Sequence, residues 1–110
     1  MNLLHIASLF IIAQLPARDT LPVVTISPPH LGVSISYGGY FVKLRNESGS
    51  ISLPWPAPGL LPTGLPWFVD IQNLGPGAVT IEEGRDISIH LLPKQSVRIV
   101  SNKQRYTVNR

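Results

Sequence analysis

The chain contains no cysteine, which excludes a disulfide framework, a thiolate metal site and a cysteine nucleophile. Charge is scarce as well: Asp, Glu, Lys and Arg make up 14% of the residues, against roughly 25% in an ordinary soluble domain. Long helices are excluded by an excess rather than a lack. Eleven prolines and nine glycines among 110 residues cut the chain into short pieces, which rules out a helical bundle or a coiled coil. Apolar residues at 44% argue against disorder and supply one packed core, and the length leaves room for no second one.

Signatures of catalysis are missing too. His5, His30 and His90 fall in three separate segments, with no His-x-His or His-Glu-x-x-His spacing. No Gly-x-Ser-x-Gly occurs, and neither Gly38-Gly39 nor Gly75-Pro76-Gly77 has the phosphate-loop pattern. Glu82, Glu83 and Asp86 gather around Gly84, but a calcium loop needs more alternating acidic ligands, so a solvated turn is expected. Asp70 stands between Val69 and Ile71 in a strand pattern, where it faces solvent or pairs with a cation on a neighbouring strand. His90 alternates with Ile89 and Leu91 and belongs on a polar face. His5, in an apolar segment, could titrate at an interface. An enzyme, a bound metal and a cofactor are therefore not expected.

What the chain does have begins with an apolar N-terminal segment. Leu3 to Leu15 are apolar except for His5, Ser8 and Gln14, and the run ends at Pro16 ahead of Arg18 and Asp19. As a helix this segment would rise about 20 Å, short of the roughly 30 Å hydrocarbon core, so no membrane span is expected. Two readings remain. One is an apolar arm or short helix over residues 1–19, packed on its own domain or on a neighbouring subunit. The other is a signal peptide, although no Lys or Arg precedes the apolar run and Leu15-Pro16-Ala17 is a poor cleavage site.

From residue 20 onward the apolar period is two and β-branched residues dominate. Strands are expected at 22–27, at Val33, Ile35 and Tyr37 with Ser34 and Ser36 on the other face, and at 40–45 after a Gly38-Gly39 turn. The loop Asn46-Glu47-Ser48-Gly49 then leads to Ser50–Leu53, which reads as a hairpin. Further strands are expected at 67–73, 78–82, 87–91, 96–100 and 106–108, a spacing of roughly ten residues that marks a β-sandwich or barrel.

Residues 54–66 interrupt this rhythm. Five prolines exclude a helix or central strand and point to a polyproline-like crossover with Trp55, Leu60, Leu61 and Leu65 as apolar plugs. The same segment could instead be a ligand for a proline-recognising groove. Trp55 and Trp67 could form a sugar-stacking platform if exposed, or close the core or a subunit interface. Five of the nine cations, Lys94, Arg98, Lys103, Arg105 and Arg110, fall in the last 17 residues. Without a run or interleaved aromatics they read as a solvated sheet face, and no specific nucleic-acid partner is expected.

One stretch carries a resemblance. Ile71-Gln72-Asn73, Leu74-Gly75-Pro76-Gly77, Val79-Thr80-Ile81, Ile87-Ser88-Ile89-His90-Leu91, Pro93-Lys94-Gln95-Ser96-Val97 and Val100-Ser101-Asn102 followed by Tyr106-Thr107-Val108 form a pattern. With the apolar-proline segment before it, residues 50–110 resemble a small β-domain recurrent in bacteriophage virion proteins of the head-fibre, decoration and tail-fibre types. In that pattern a glycine usually follows the proline of the second turn, where Lys94 stands here, and a Gly-aromatic pair usually precedes the last strand, where Lys103-Gln104-Arg105 stands. The resemblance implies a structural role in a virion, usually as a trimer.

The expectation is thus an all-β protein: a small, jelly-roll-like β-sandwich over residues 20–110, with a crossover at 54–66 and an N-terminal apolar arm. Its expected role is a non-enzymatic capsid decoration, cement or head-fibre protein in the virion. It would bind the major capsid protein or other virion subunits, as a homotrimer, through Leu4, Leu9, Phe10, Ile12, Trp55, Leu60, Leu61 and Trp67. The alternatives are a tail-fibre or tail-adaptor subunit, or a secreted carbohydrate-binding module.

Overall fold

A computed structural model describes residues 15–27, 32–45, 49–83 and 87–110. They form eight strands: β1 (Val23–Ile26), β2 (Phe41–Leu44), β3 (Gly49–Ser52), β4 (Phe68–Asn73), β5 (Val79–Glu83), β6 (Ile87–Leu91), β7 (Ser96–Ser101) and β8 (Tyr106–Asn109). A five-stranded sheet has the order β1-β2-β4-β7-β8 and a three-stranded sheet the order β3-β5-β6. The alternation seen in the sequence sets which side of each strand is buried. Val42, Leu44, Val69, Ile71, Val97 and Ile99 of the larger sheet meet Ile51, Val79, Ile81, Ile89 and Leu91 of the smaller one in a single apolar interior. Burying each such side chain stabilises the fold by about 1.5–3 kcal/mol relative to leaving it in water. The protein is an all-β sandwich.

Its connectivity departs from the purely antiparallel pattern of a jelly roll. β1 pairs with β2, β2 with β4, and β3 with β5, all in parallel. The reason is that the first half of the chain coils around the core, alternating between sheets. β1 lies in the large sheet, Gly32 bridges in parallel to Ser52 of the small one, and β2, β3, β4 and β5 then alternate sides. Strands that return to the same sheet after one full turn of such a coil run in the same direction. The second half uses antiparallel pairs instead, β5 with β6 and β7 with β8, and β7 closes onto β4.

Two local expectations are corrected by this arrangement. Residues 40–53 do not form a hairpin, because β2 and β3 belong to different sheets. The strand expected across Val33, Ile35 and Tyr37 is a 3₁₀ turn over Ile35–Tyr37. The Ser34 hydroxyl accepts a hydrogen bond from Ser36 N (3.2 Å) and lies 2.8 Å from Ser36 Oγ. Serine side chains that bond nearby backbone compete with a strand ladder, and here they win. Val33 alone of the three turns fully inward, with its N–H on Ser52 O at 2.8 Å.

Residues 15–22 lie against the outer face of the large sheet. A 3₁₀ turn spans Arg18–Thr20, Leu21 is buried, and Pro22 O accepts from Phe41 N at 2.8 Å as the chain enters β1. Leu4, Leu9, Phe10 and Ile12 lie outside the described residues. Among the described residues, no helix is long and apolar enough to cross a membrane.

Candidate functional site

The proline-rich crossover is fastened along its length. The carbonyl of Pro54 accepts from the Tyr106 hydroxyl, and that of Pro58 accepts from Ser101 Oγ. Gly59 O takes the Trp67 N–H at 3.0 Å, and a tight turn closes through Leu61 N on Leu65 O (2.8 Å) and Gly64 N on Leu61 O (2.9 Å). Gly64 has φ +89°, a left-handed conformation that suits glycine. The Trp55–Pro56 peptide bond is cis. Proline supplies no N–H and so leaves its carbonyls to outside donors, which here are side chains of the β7–β8 pair.

Four candidate contact residues fall on or beside this segment, and the structure divides them. Trp55 is 67% exposed and Leu60 is 71% exposed, so both point away from the body. Leu61 is half-buried and packs against the core. Trp67 is only 3% exposed; its Nε1 donates to Ile35 O at 2.9 Å and its ring meets Tyr106 edge-on at 6.2 Å. Trp67 is therefore a core residue and unavailable to a partner, because the 3₁₀ turn and the crossover close over it. Gly38 permits that closure: a Cβ there would lie 2.3 Å from Trp67 Nε1 and 2.7 Å from Leu61 Cδ2. With one tryptophan buried, the pair cannot form a sugar-stacking platform. Ile35, expected on the inner face, is instead 58% exposed.

A second feature sits on the outer face of the large sheet. Register places Phe41, Asp70, Arg98 and Asn109 side by side across β2, β4, β7 and β8. The Asp70 carboxylate is fully buried and accepts from Arg98 Nε (2.7 Å), Arg98 Nη2 (2.8 Å) and Arg18 Nε (3.1 Å). Arg98 also binds Pro16 O at 2.6 Å, and Arg18 Nη1 donates to Ser96 Oγ. Both guanidiniums lie over aromatic rings, Arg18 5.6 Å from the centroid of Phe41 and Arg98 5.1 Å from that of Phe68. The expected pairing of Asp70 with a neighbouring-strand cation is thus present, and Arg18 joins it from 52 positions upstream. Beside this cluster lies an open cavity of about 340 Å³ lined by Leu15, Arg18, Arg98, Asn109 and Arg110.

The remaining polar candidates do not converge. His90 is exposed, with Nδ1 3.5 Å from Thr80 Oγ1. Glu82 accepts from Ser50 Oγ at 2.9 Å. Glu83 is buried, and its Oε2 has no hydrogen-bond partner among the described residues. Gly84 and Asp86 of that turn lie outside the described residues, as do His5 and His30. Among the described residues, Tyr106 is the one group whose acidity is clearly moved: burial, and secondarily the nearby Glu83 carboxylate, push its hydroxyl up to about 12. Among the described residues, no three His, Asp or Glu side chains are grouped to hold a metal ion. No family of known proteins, no curated protein and no solved structure is matched by this chain.

Proposed function

We propose that this chain is a non-enzymatic structural subunit of a bacteriophage virion, of the capsid decoration, cement or head-fibre type. It docks on neighbouring subunits, the major capsid protein among them, and assembles as a homotrimer. The observation that carries the docking role is the crossover: a loop fixed at Pro54, Pro58 and Gly59 to the sandwich, yet holding Trp55 and Leu60 in water. An apolar surface that is already rigid loses little conformational entropy when it binds, and large exposed aromatics are the usual anchors of protein contacts. The virion setting rests on the resemblance of residues 50–110 to the β-domain pattern of phage virion proteins. A tail-fibre or tail-adaptor subunit uses the same surface and differs only in where it sits.

The test is the composition of purified particles. Quantitative mass spectrometry should find the chain at a fixed ratio to the major capsid protein, and cross-links from it should reach that protein. Absence from particles, or secretion of the chain in soluble form with glycan binding, would overturn the proposal. Cross-links confined to tail proteins would support the tail-subunit alternative over the capsid assignment.

A further inference from the structure

At the cavity on the outer face three guanidinium side chains meet one side-chain carboxylate. Arg18, Arg98 and Arg110 line it, Asp70 is the carboxylate that pairs with the first two, and Asp19 makes no ion pair among the described residues. Asp70 takes Arg98 through Nε and Nη2, and Arg18 through Nε, while Arg98 Nη2 also donates to Pro16 O and Arg18 Nη1 to Ser96 Oγ, which leaves Arg98 Nη1 and Arg18 Nη2 unused. Arg110 gives one bond to His90 O at 3.1 Å and is exposed. A guanidinium carries five N–H donors, so each of the three keeps donors that these bonds do not use. The geometry around Asp70 also demonstrates what these side chains recognise: Arg98 grips that carboxylate with two N–H groups.

We propose that this cavity is a docking site for a carboxylate-bearing segment of a partner protein, an Asp or Glu side chain entering between Arg18, Arg98 and Arg110. Asn109, directly beside Arg98 in the β7–β8 register, offers an amide to the backbone of the incoming segment, and Leu15 provides an apolar wall. The favoured occupant is an acidic peptide rather than a nucleic acid. A nucleic-acid backbone needs a continuous basic track. Lys103 and Arg105 stand instead in the turn that joins β7 to β8, at the far end of that pair from Asn109 and Arg110. None of the groove residues belongs to the crossover, so this site and the Trp55–Leu60 surface fail or succeed separately.

The full-length chain would be titrated with a blocked, glutamate-bearing glycine peptide while amide resonances are followed by NMR, with the glutamine version of the peptide and a short single-stranded oligonucleotide as parallel arms. The acidic peptide should shift the signals of Leu15, Asn109 and Arg110 and weaken as salt rises, and the glutamine peptide should not bind. Arg110→Glu, an exposed change that leaves the Asp70 cluster intact, should weaken the acidic peptide by about tenfold, the equivalent of about 1.4 kcal/mol. Equal binding of the two peptides, shifts elsewhere on the protein, tighter binding of the oligonucleotide, or an unchanged affinity in Arg110→Glu would each overturn the proposal.

Discussion

Replacing Asp70 by Asn keeps the volume of the side chain and removes its charge. In the native fold that carboxylate is fully buried and is the acceptor for Arg18 and for two N–H groups of Arg98. Breaking a buried ion pair by deleting one partner costs about 3–5 kcal/mol, because the other charge is left desolvated. Arg98 is only 18% exposed and bears most of that penalty, whereas Arg18, at 35%, can turn towards water. The lower end of the range therefore applies, about 3 kcal/mol. For a domain of this size each kcal/mol moves the melting temperature by about 4–8 °C, so Asp70→Asn should melt at least about 12 °C below the native protein. The combined change Asp70→Leu with Arg98→Met should recover part of this loss, since it removes both desolvated charges and leaves only Arg18, which can turn towards water, and the Pro16 carbonyl without their partners. Urea unfolding followed by circular dichroism measures both. A loss below about 1 kcal/mol in Asp70→Asn would place the cluster with ordinary surface ion pairs and refute the reasoning.

Gly38→Ala should destabilise by about 1–3 kcal/mol, since its Cβ would meet an indole held between Ile35 O and Tyr106; native-like stability in urea would contradict this. Lys94 and Lys103 occupy left-handed backbone at φ +70° and +83°, the region that disfavours side chains, so Lys94→Gly and Lys103→Gly should each stabilise by about 0.5–1 kcal/mol in the same assay. Tyr106 keeps its proton in the fold up to about pH 12 but loses it near 10.0 when unfolded. The unfolded state binds fewer protons across that interval, so the stability contributed by Tyr106 is complete below pH 10, declines above it and is lost as pH passes 12. Tyr106→Phe should lack that decline while costing about 1 kcal/mol at neutral pH for the orphaned Pro54 carbonyl, and equal alkaline midpoints for the two proteins would refute the assignment.

The two lysine positions bear on what could be read in advance. In the resemblance drawn from the sequence a glycine is usual where Lys94 stands, and a Gly-aromatic pair where Lys103-Gln104-Arg105 stands. Lys94 and Lys103 are the two non-glycine residues with positive φ among those described. Strands from residue 67 onward were legible to within a residue because each alternates cleanly and is closed by a turn signal. In the first half the strands at 22–27, 40–45 and 50–53 were legible as well, but their pairing was not, since a period of two is the same whether a strand returns beside its neighbour or crosses to the opposite sheet. The segment around Ile35 misled for a local reason: its alternating serines cap a turn instead of facing water from a strand. Asp70 announced itself as a lone charge among apolar strand residues, but its second partner could not be found by strand logic, because Arg18 arrives from the segment lying across the sheet. Trp67 and Trp55 look alike in sequence, each beside a proline. Only the closure of the 3₁₀ turn at Gly38 buries one and leaves the other in water.

The role of the crossover is tested most directly by incorporation of the Trp55→Ala, Leu60→Asp double variant into particles, in competition with the native chain. Both side chains are exposed, so the variant should fold and melt like the native protein. Anchoring residues at the centre of a contact contribute about 2 kcal/mol or more each, and their removal should lower incorporation by at least about tenfold. Incorporation at the native level by a correctly folded double variant would contradict the account.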